Sequence, residues 1–143
     1  MLKKGFSLIE SLMGLFLLSL IAVSCLPLIT SLLDNMRLNS EKDEMVFVLE
    51  SSMEKIINYN VEYPNEEYIL DTPVSEIIDM LMKNNDITVK LPLKANDTCK
   101  YSLTISKHNI DGSDRLWKIC MEIVHKGEKR LNNVTLQAII PVK

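Results

Sequence analysis

From Ser11 to Leu33 the chain runs for 23 residues without a charged side chain, and one carboxylate, Glu10, stands at the head of that run. A helix rises about 1.5 Å per residue, so the run reaches about 35 Å and can cross a hydrocarbon core of about 30 Å. No other feature of the sequence restricts the fold as strongly, because a segment this apolar must lie in lipid or against other apolar helices. Lys3 and Lys4 precede it and Asp34 is the first charge after it. The positive-inside bias therefore predicts a cytoplasmic N-terminus and an extracytoplasmic body.

Composition has to be read separately for the two regions. Hydrophobic residues make up 47% of the chain but crowd its front, so the mean hydropathy of +0.09 averages a membrane segment with a polar body. Sixteen Lys and Arg stand against 19 Asp and Glu. Without residues 1–5 the balance is 14 to 19, which makes the body a poor general surface for phosphates.

Glu10 separates the ways of reading the apolar segment. A carboxylate costs about 2.5–3.5 kcal/mol in a membrane helix, so a plain signal anchor or a secretory signal peptide leaves it unexplained. A lipoprotein signal would use Ala22-Val23-Ser24 ahead of Cys25, although Ala22 stands where that motif carries a larger aliphatic. The run Lys3-Lys4-Gly5-Phe6-Ser7-Leu8-Ile9-Glu10 resembles the class III signal of type IV prepilins and pseudopilins: a short basic leader, Gly, Phe, four residues on an acid, then a long apolar helix. The resemblance spans roughly residues 1–33, and Pro27 falls where such helices commonly carry a proline.

The resemblance implies that prepilin peptidase cuts between Gly5 and Phe6 and methylates the new amine of Phe6, leaving residues 1–5 as the leader. Glycine suits such a cut, because a residue without a side chain lets a protease approach the backbone closely. It further implies that Glu10 pairs with the Phe6 amine of a neighbouring subunit and sets the packing register. The implied partners are the peptidase, other pilin or pseudopilin subunits, an inner-membrane assembly platform and the membrane itself. Three machines use such parts: type IV pili, type II secretion and the competence pilus for DNA uptake.

Past the apolar run (6–33), periodicity changes. From Asp34 to Tyr59 there is no Gly or Pro, and Leu38, Met45, Leu49, Met53 and Ile56 fall on one helical face, with Val46 and Ile57 beside them. Residues 34–59 are therefore expected to continue the helix to about Asn58 as the spine of a head formed by residues 60–143; a coiled-coil seam would use the same pattern. Pro27 lacks an N–H for the carbonyl of Val23, so a bend is expected near Val23 to Pro27. Asn58 to Thr72 reads as a loop carrying Tyr59, Tyr63 and Tyr68. Thr72-Pro73 reads as a helix start, with Thr72 as cap and Pro73 in the first turn, opening the stripe Val74, Ile77, Ile78, Leu81.

From Ile87 the period falls to two. Strands are expected at Ile87–Leu91, Cys99–Ser106, Arg115–His125 and Val134–Ile140, with turns at Asn109-Ile110-Asp111-Gly112 and around Lys126-Gly127-Glu128-Lys129. The fold class is α+β and pilin-like: a long N-terminal helix packed on an antiparallel sheet of three or four strands.

Cys99 and Cys120 would face an oxidising compartment, which makes them a candidate disulfide. Pairing Tyr101 and Leu103 with Ile119 and Trp117 puts Cys120 on the other face, beside Lys118 and Glu122, so a bridge needs a bulge or a one-residue slip. Cys25 reads as a small packing residue in the membrane segment. His108 and His125 read as solvated and lack metal-ligand spacing with the cysteines. No nucleophile or phosphate-loop motif is present, so no catalytic, cofactor or metal residue is assigned and a non-enzymatic subunit is expected. Asn96-Asp97-Thr98 and Asn133-Val134-Thr135 match the glycosylation triplet. Lys126, Lys129 and Arg130, with Glu128 between them, read as a solvated turn before they read as a DNA contact. A different class, a membrane- or lipid-anchored extracytoplasmic binding protein, would keep the same head without a filament.

Overall fold

The computed structural model describes residues 3–61, 66–93, 99–110 and 113–141. The Asn96-Asp97-Thr98 triplet, Tyr63, the turn residues Asp111 and Gly112, and the side chains of Lys3, Lys4 and Phe6 lie outside the described residues. One helix, α1 (Lys3–Asn58), contributes to two compact units, residues 1–40 and 41–143.

In the first unit every side chain from Ser7 to Leu33 is exposed, as the composition requires of a helix that has no apolar partner of its own. Its hydroxyls bond back to the helix: Ser11 donates to the Ser7 carbonyl at 2.9 Å, Ser24 to Leu20 at 2.8 Å and Thr30 to Pro27 at 2.9 Å. No hydroxyl of these three is left to be satisfied by lipid, which has nothing to offer it. The helix is continuous through Pro27. Asp34 and Arg37 form an i,i+3 ion pair at 3.6 Å just beyond the apolar run.

In the second unit the amphipathic part of α1 buries Met45, Leu49, Met53 and Ile56, the face expected from their spacing. These four join one core with Val74, Ile77, Ile78 and Leu81 of α2 (Val74–Lys83) and the inner face of a four-stranded sheet. That sheet is antiparallel in the order β3 (Ile87–Leu91), β4 (Tyr101–Ile110), β5 (Ser113–His125), β6 (Val134–Pro141). Leu103, Ile105, Ile119, Met121 and Ile123 are fully buried. At about 25 cal/mol per Å² of apolar surface, this shared core is what neither helix nor sheet can form alone.

The loop expected from Asn58 to Thr72 contains structure. β1 (Tyr68–Ile69) and β2 (Thr72–Pro73) form a small hairpin, with Leu70 and Asp71 in its turn at φ of 45° and 63°. Two positive φ values mark a primed hairpin turn, usually signalled by Asn-Gly; Leu-Asp hid it. The helix start is corrected accordingly. Thr72 is buried in β2 and does not cap α2, and Pro73 sits at the N-cap position, one residue earlier than expected.

The central register also needs correction. Tyr101 pairs with His125 and Leu103 with Ile123, six residues further along β5 than Ile119 and Trp117. The expected register centres the hairpin on Ile110; the observed one closes through Ile110 opposite Ser113, with an irregularity next to Asn109. Parity survives the shift, so Cys120 lies on the outer face between Lys118 and Glu122, opposite Ser106 and Gln137.

That placement removes the candidate disulfide. Cys25, Cys99 and Cys120 are all free thiols. Ser106, the neighbour of Cys120, is five residues along β4 from Tyr101, about 16 Å, and Cys99 lies beyond that end, whereas a bridge needs Cα atoms about 5.5 Å apart. Cys99 instead lies with its sulfur 3.9 Å from an Asp71 carboxylate oxygen. Alkylation of the denatured, unreduced chain should add three groups, and prior reduction should not change the mass; a gain of two further groups after reduction would mean that a bridge exists.

Candidate functional site

The residues of the N-terminal motif occupy successive turns of α1. Gly5 and Phe6 lie in its opening turns, and Glu10 follows Phe6 by four residues, about 6 Å further along the axis. Glu10 is exposed, and the first turn of α1 as it stands contains no acid. Behind Glu10 the helix is long and apolar enough to cross a membrane. Cys25 is exposed on that same apolar stretch. The N-terminal segment thus presents an exposed apolar surface from Leu8 to Leu33 with one carboxylate, Glu10, near its start.

The head holds a polar cluster that the sequence reading missed. His125, expected to be solvated, ends β5 with its side chain only 12% exposed. Its Nδ1 accepts hydrogen bonds from the backbone N–H groups of Gly127 at 3.1 Å and Glu128 at 2.8 Å, and Nε2 faces Glu41 at 3.6 Å. With Nδ1 accepting, the proton belongs on Nε2, directed at Glu41. The Tyr101 ring meets the imidazole edge-on at 5.4 Å, and its hydroxyl donates to Glu41 at 3.4 Å. Lys100 reaches Glu44 at 3.8 Å. The group ties α1 to the β4–β5 end of the sheet. His108 is not alone either, since it pairs with Asp86 at 3.1 Å.

Burial, and then the carboxylates of Glu44 and Glu41, hold the Tyr101 phenol above its ordinary value of 10.0. The unfolded chain would begin to lose this proton near pH 10 while the folded head keeps it. Above pH 10 the unfolded state therefore binds fewer protons, and stability falls as pH rises. The expected slope is about 1.4 kcal/mol per pH unit from this residue. Tyr101→Phe should be less stable at pH 7 through loss of the Glu41 bond but should show a shallower fall between pH 10 and 11 in denaturant titrations. An unchanged slope would refute the assignment.

Among the described residues no group of three or more His, Cys, Asp or Glu side chains stands close enough to hold a metal ion. One concavity of the head, of about 380 Å³, is lined by Leu70, Asp71, Thr72, Pro73, Glu76 and Leu93 among others. Lys126 and Arg130 lie in the β5–β6 turn with Glu128, whose carboxylate holds Arg130 at 3.0 Å, so the turn is a mixed-charge surface. Asn133 donates to Glu122 at 2.7 Å. No protein family, curated protein or solved structure matches this chain.

Proposed function

We propose that the chain is a pilin-like subunit, a minor pilin or pseudopilin of a type IV filament machine. Prepilin peptidase would process it after Gly5, and packing of its N-terminal helix would add it to a filament. The observation that supports this reading best is the motif Lys3-Lys4-Gly5-Phe6 with Glu10, set in one frame at the start of an uninterrupted, wholly exposed apolar helix. An ordinary anchor needs the apolar run but neither the glycine–phenylalanine step nor the acid.

Cleavage would change the electrostatics of the helix start. Removal of residues 1–5 makes Phe6 the first residue and brings Glu10, fifth in the new chain, to the end of α1 where unpaired N–H groups and the new amine concentrate positive charge. A carboxylate that was eight residues inside the helix then lies near its positive end. The same exposed apolar surface would serve first as a single-pass anchor, with the N-terminus cytoplasmic and the head extracytoplasmic, and later as a filament core. The head would provide partner contacts and not chemistry.

Mass spectrometry of the mature N-terminus tests the proposal. A chain beginning with N-methylated Phe6 is the expected result. Lipid on Cys25 would assign a lipoprotein-type binding protein, and an intact Met1 a plain anchor; either would overturn the filament reading.

A further inference from the structure

The amphipathic part of α1 carries an aromatic residue that its own core does not explain. Phe47 is 70% exposed and projects from the helix side opposite the buried Met45, Leu49 and Ile56. Asp43, Glu50 and Glu54, at i−4, i+3 and i+7 from it, are exposed on the same face. An isolated aromatic ring within a rim of carboxylates has the form of an interface anchor, apolar at the centre and charged at the edge.

The head also carries the complement. A concavity of about 330 Å³ has an apolar floor of Leu91, Pro92 and Leu93 and is bordered by Lys90, Lys126 and Ser102. A cavity of about 150 Å³ already accepts a benzene ring. Lys90 and Lys126 are exposed, and the backbone N–H of Lys126 bonds the Lys100 carbonyl at 2.9 Å, which fixes the β5 end of the site against β4. Lys90 and Ser102 belong to the outer face of the sheet, whereas α1 packs on the inner face with Phe47 turned away from it. One copy therefore cannot fill its own concavity.

We infer that Phe47 of one copy seats in the Lys90–Leu93–Lys126 concavity of a second copy, with Asp43, Glu50 and Glu54 facing the lysines. The two surfaces differ and lie on opposite sides of the head, so the contact is heterologous and passes head-to-tail from one copy to the next. This names the head contact of the filament proposed above and rests on that reading for its setting, but its chemistry belongs to residues 41–143 alone.

The test uses full-length chain in its membrane, with Phe47→p-benzoylphenylalanine as a photocrosslinker and a mixture of isotopically heavy and light copies. Heavy-to-light crosslinks from position 47 to the peptide containing Lys90–Leu93 are expected. Lys90→Glu with Lys126→Glu should lower their yield roughly ten-fold or more through like-charge opposition, and adding Glu50→Lys with Glu54→Lys should restore it. Circular dichroism on the same samples checks that these surface changes leave the head folded. Absence of crosslinks, crosslinks solely to lipid or to a different protein, or a yield indifferent to the charge reversal would each overturn the inference. The mass of the N-terminus, read from the same material, separates the two claims: processed chain without the 47 crosslink sinks this contact alone, and the crosslink on unprocessed chain sinks the filament reading alone.

Discussion

Lys107→Ala is expected to cost the head about 3 kcal/mol, a large share of the 5–15 kcal/mol that holds a domain of this size together. Lys107 is 2% exposed on the inner face of β4, between Ile87 and Ile119. Its ammonium donates to the Leu81 carbonyl at 2.6 Å and the Asn84 carbonyl at 2.8 Å, and lies 4.1 Å from the centre of the Trp117 ring. Those carbonyls end α2, where the helix has unpaired acceptors and partial negative charge, so the lysine caps the helix from a neighbouring strand. Alanine would strand two acceptors, each worth about 1–3 kcal/mol when buried, and lose the contact of the stem with Trp117. Part of that loss is returned, because a buried ammonium need no longer be desolvated.

The two effects can be weighed with a second variant and with pH. Lys107→Met keeps the stem and removes the charge, so its loss should be smaller, about 2 kcal/mol, if packing carries part of the effect. Burial lowers the Lys107 pKa below 10.5, with the Asp86 carboxylate opposing the shift. Between that lowered value and 10.5 the unfolded chain binds more protons than the folded one, so this residue makes stability rise with pH, and Lys107→Met should abolish the rise. Denaturant titrations of the detergent-solubilised chain measure both. Wild-type stability in Lys107→Ala would show that the cap is dispensable.

Lys107 also shows where the sequence stopped being legible. The alternation Tyr101, Leu103, Ile105 is plain and Asn109-Ile110-Asp111-Gly112 reads as a turn, but the strand expected to end at Ser106 continues to Ile110. A lysine on an inward position is visible only once the acceptors it serves, 23 and 26 residues upstream, are in place. The helix face Met45, Leu49, Met53, Ile56 and the four strands were legible because a period of 3.6 or 2 is a local property of the chain. The strand offset was not, because any shift by two along β5 keeps apolar against apolar, and only the position of the tight turn chooses among them. His125 escaped for a related reason: a residue beside a glycine turn reads as solvated until α1 brings Glu41 to it.

Glu10→Leu, in the proposed setting, should leave cleavage after Gly5 largely intact and reduce incorporation into filaments about a hundred-fold per subunit added. The magnitude follows from the cost of a carboxylate in hydrocarbon, about 2.5–3.5 kcal/mol, which a cation on a neighbour would offset in the assembled state and nothing offsets in an isolated subunit. At about 1.4 kcal/mol per decade, that is a factor of roughly 10² in the addition equilibrium. The variant is informative because the two readings of Glu10 predict opposite signs. If the acid were a tolerated blemish in an anchor, leucine would make the segment more apolar and the subunit at least as well inserted and incorporated. If it pairs with the amine of Phe6 on the next copy, leucine would strengthen the anchor and weaken the filament at the same time. Comparison of membrane-retained with sheared, filament-borne protein, by quantitative immunoblotting beside the mass of the processed N-terminus, reads both quantities in one culture. Glu10→Asp should fall between, since it keeps the charge but shortens the reach by one methylene. Incorporation of Glu10→Leu at the wild-type level would remove the register role and leave Glu10 without a physical account.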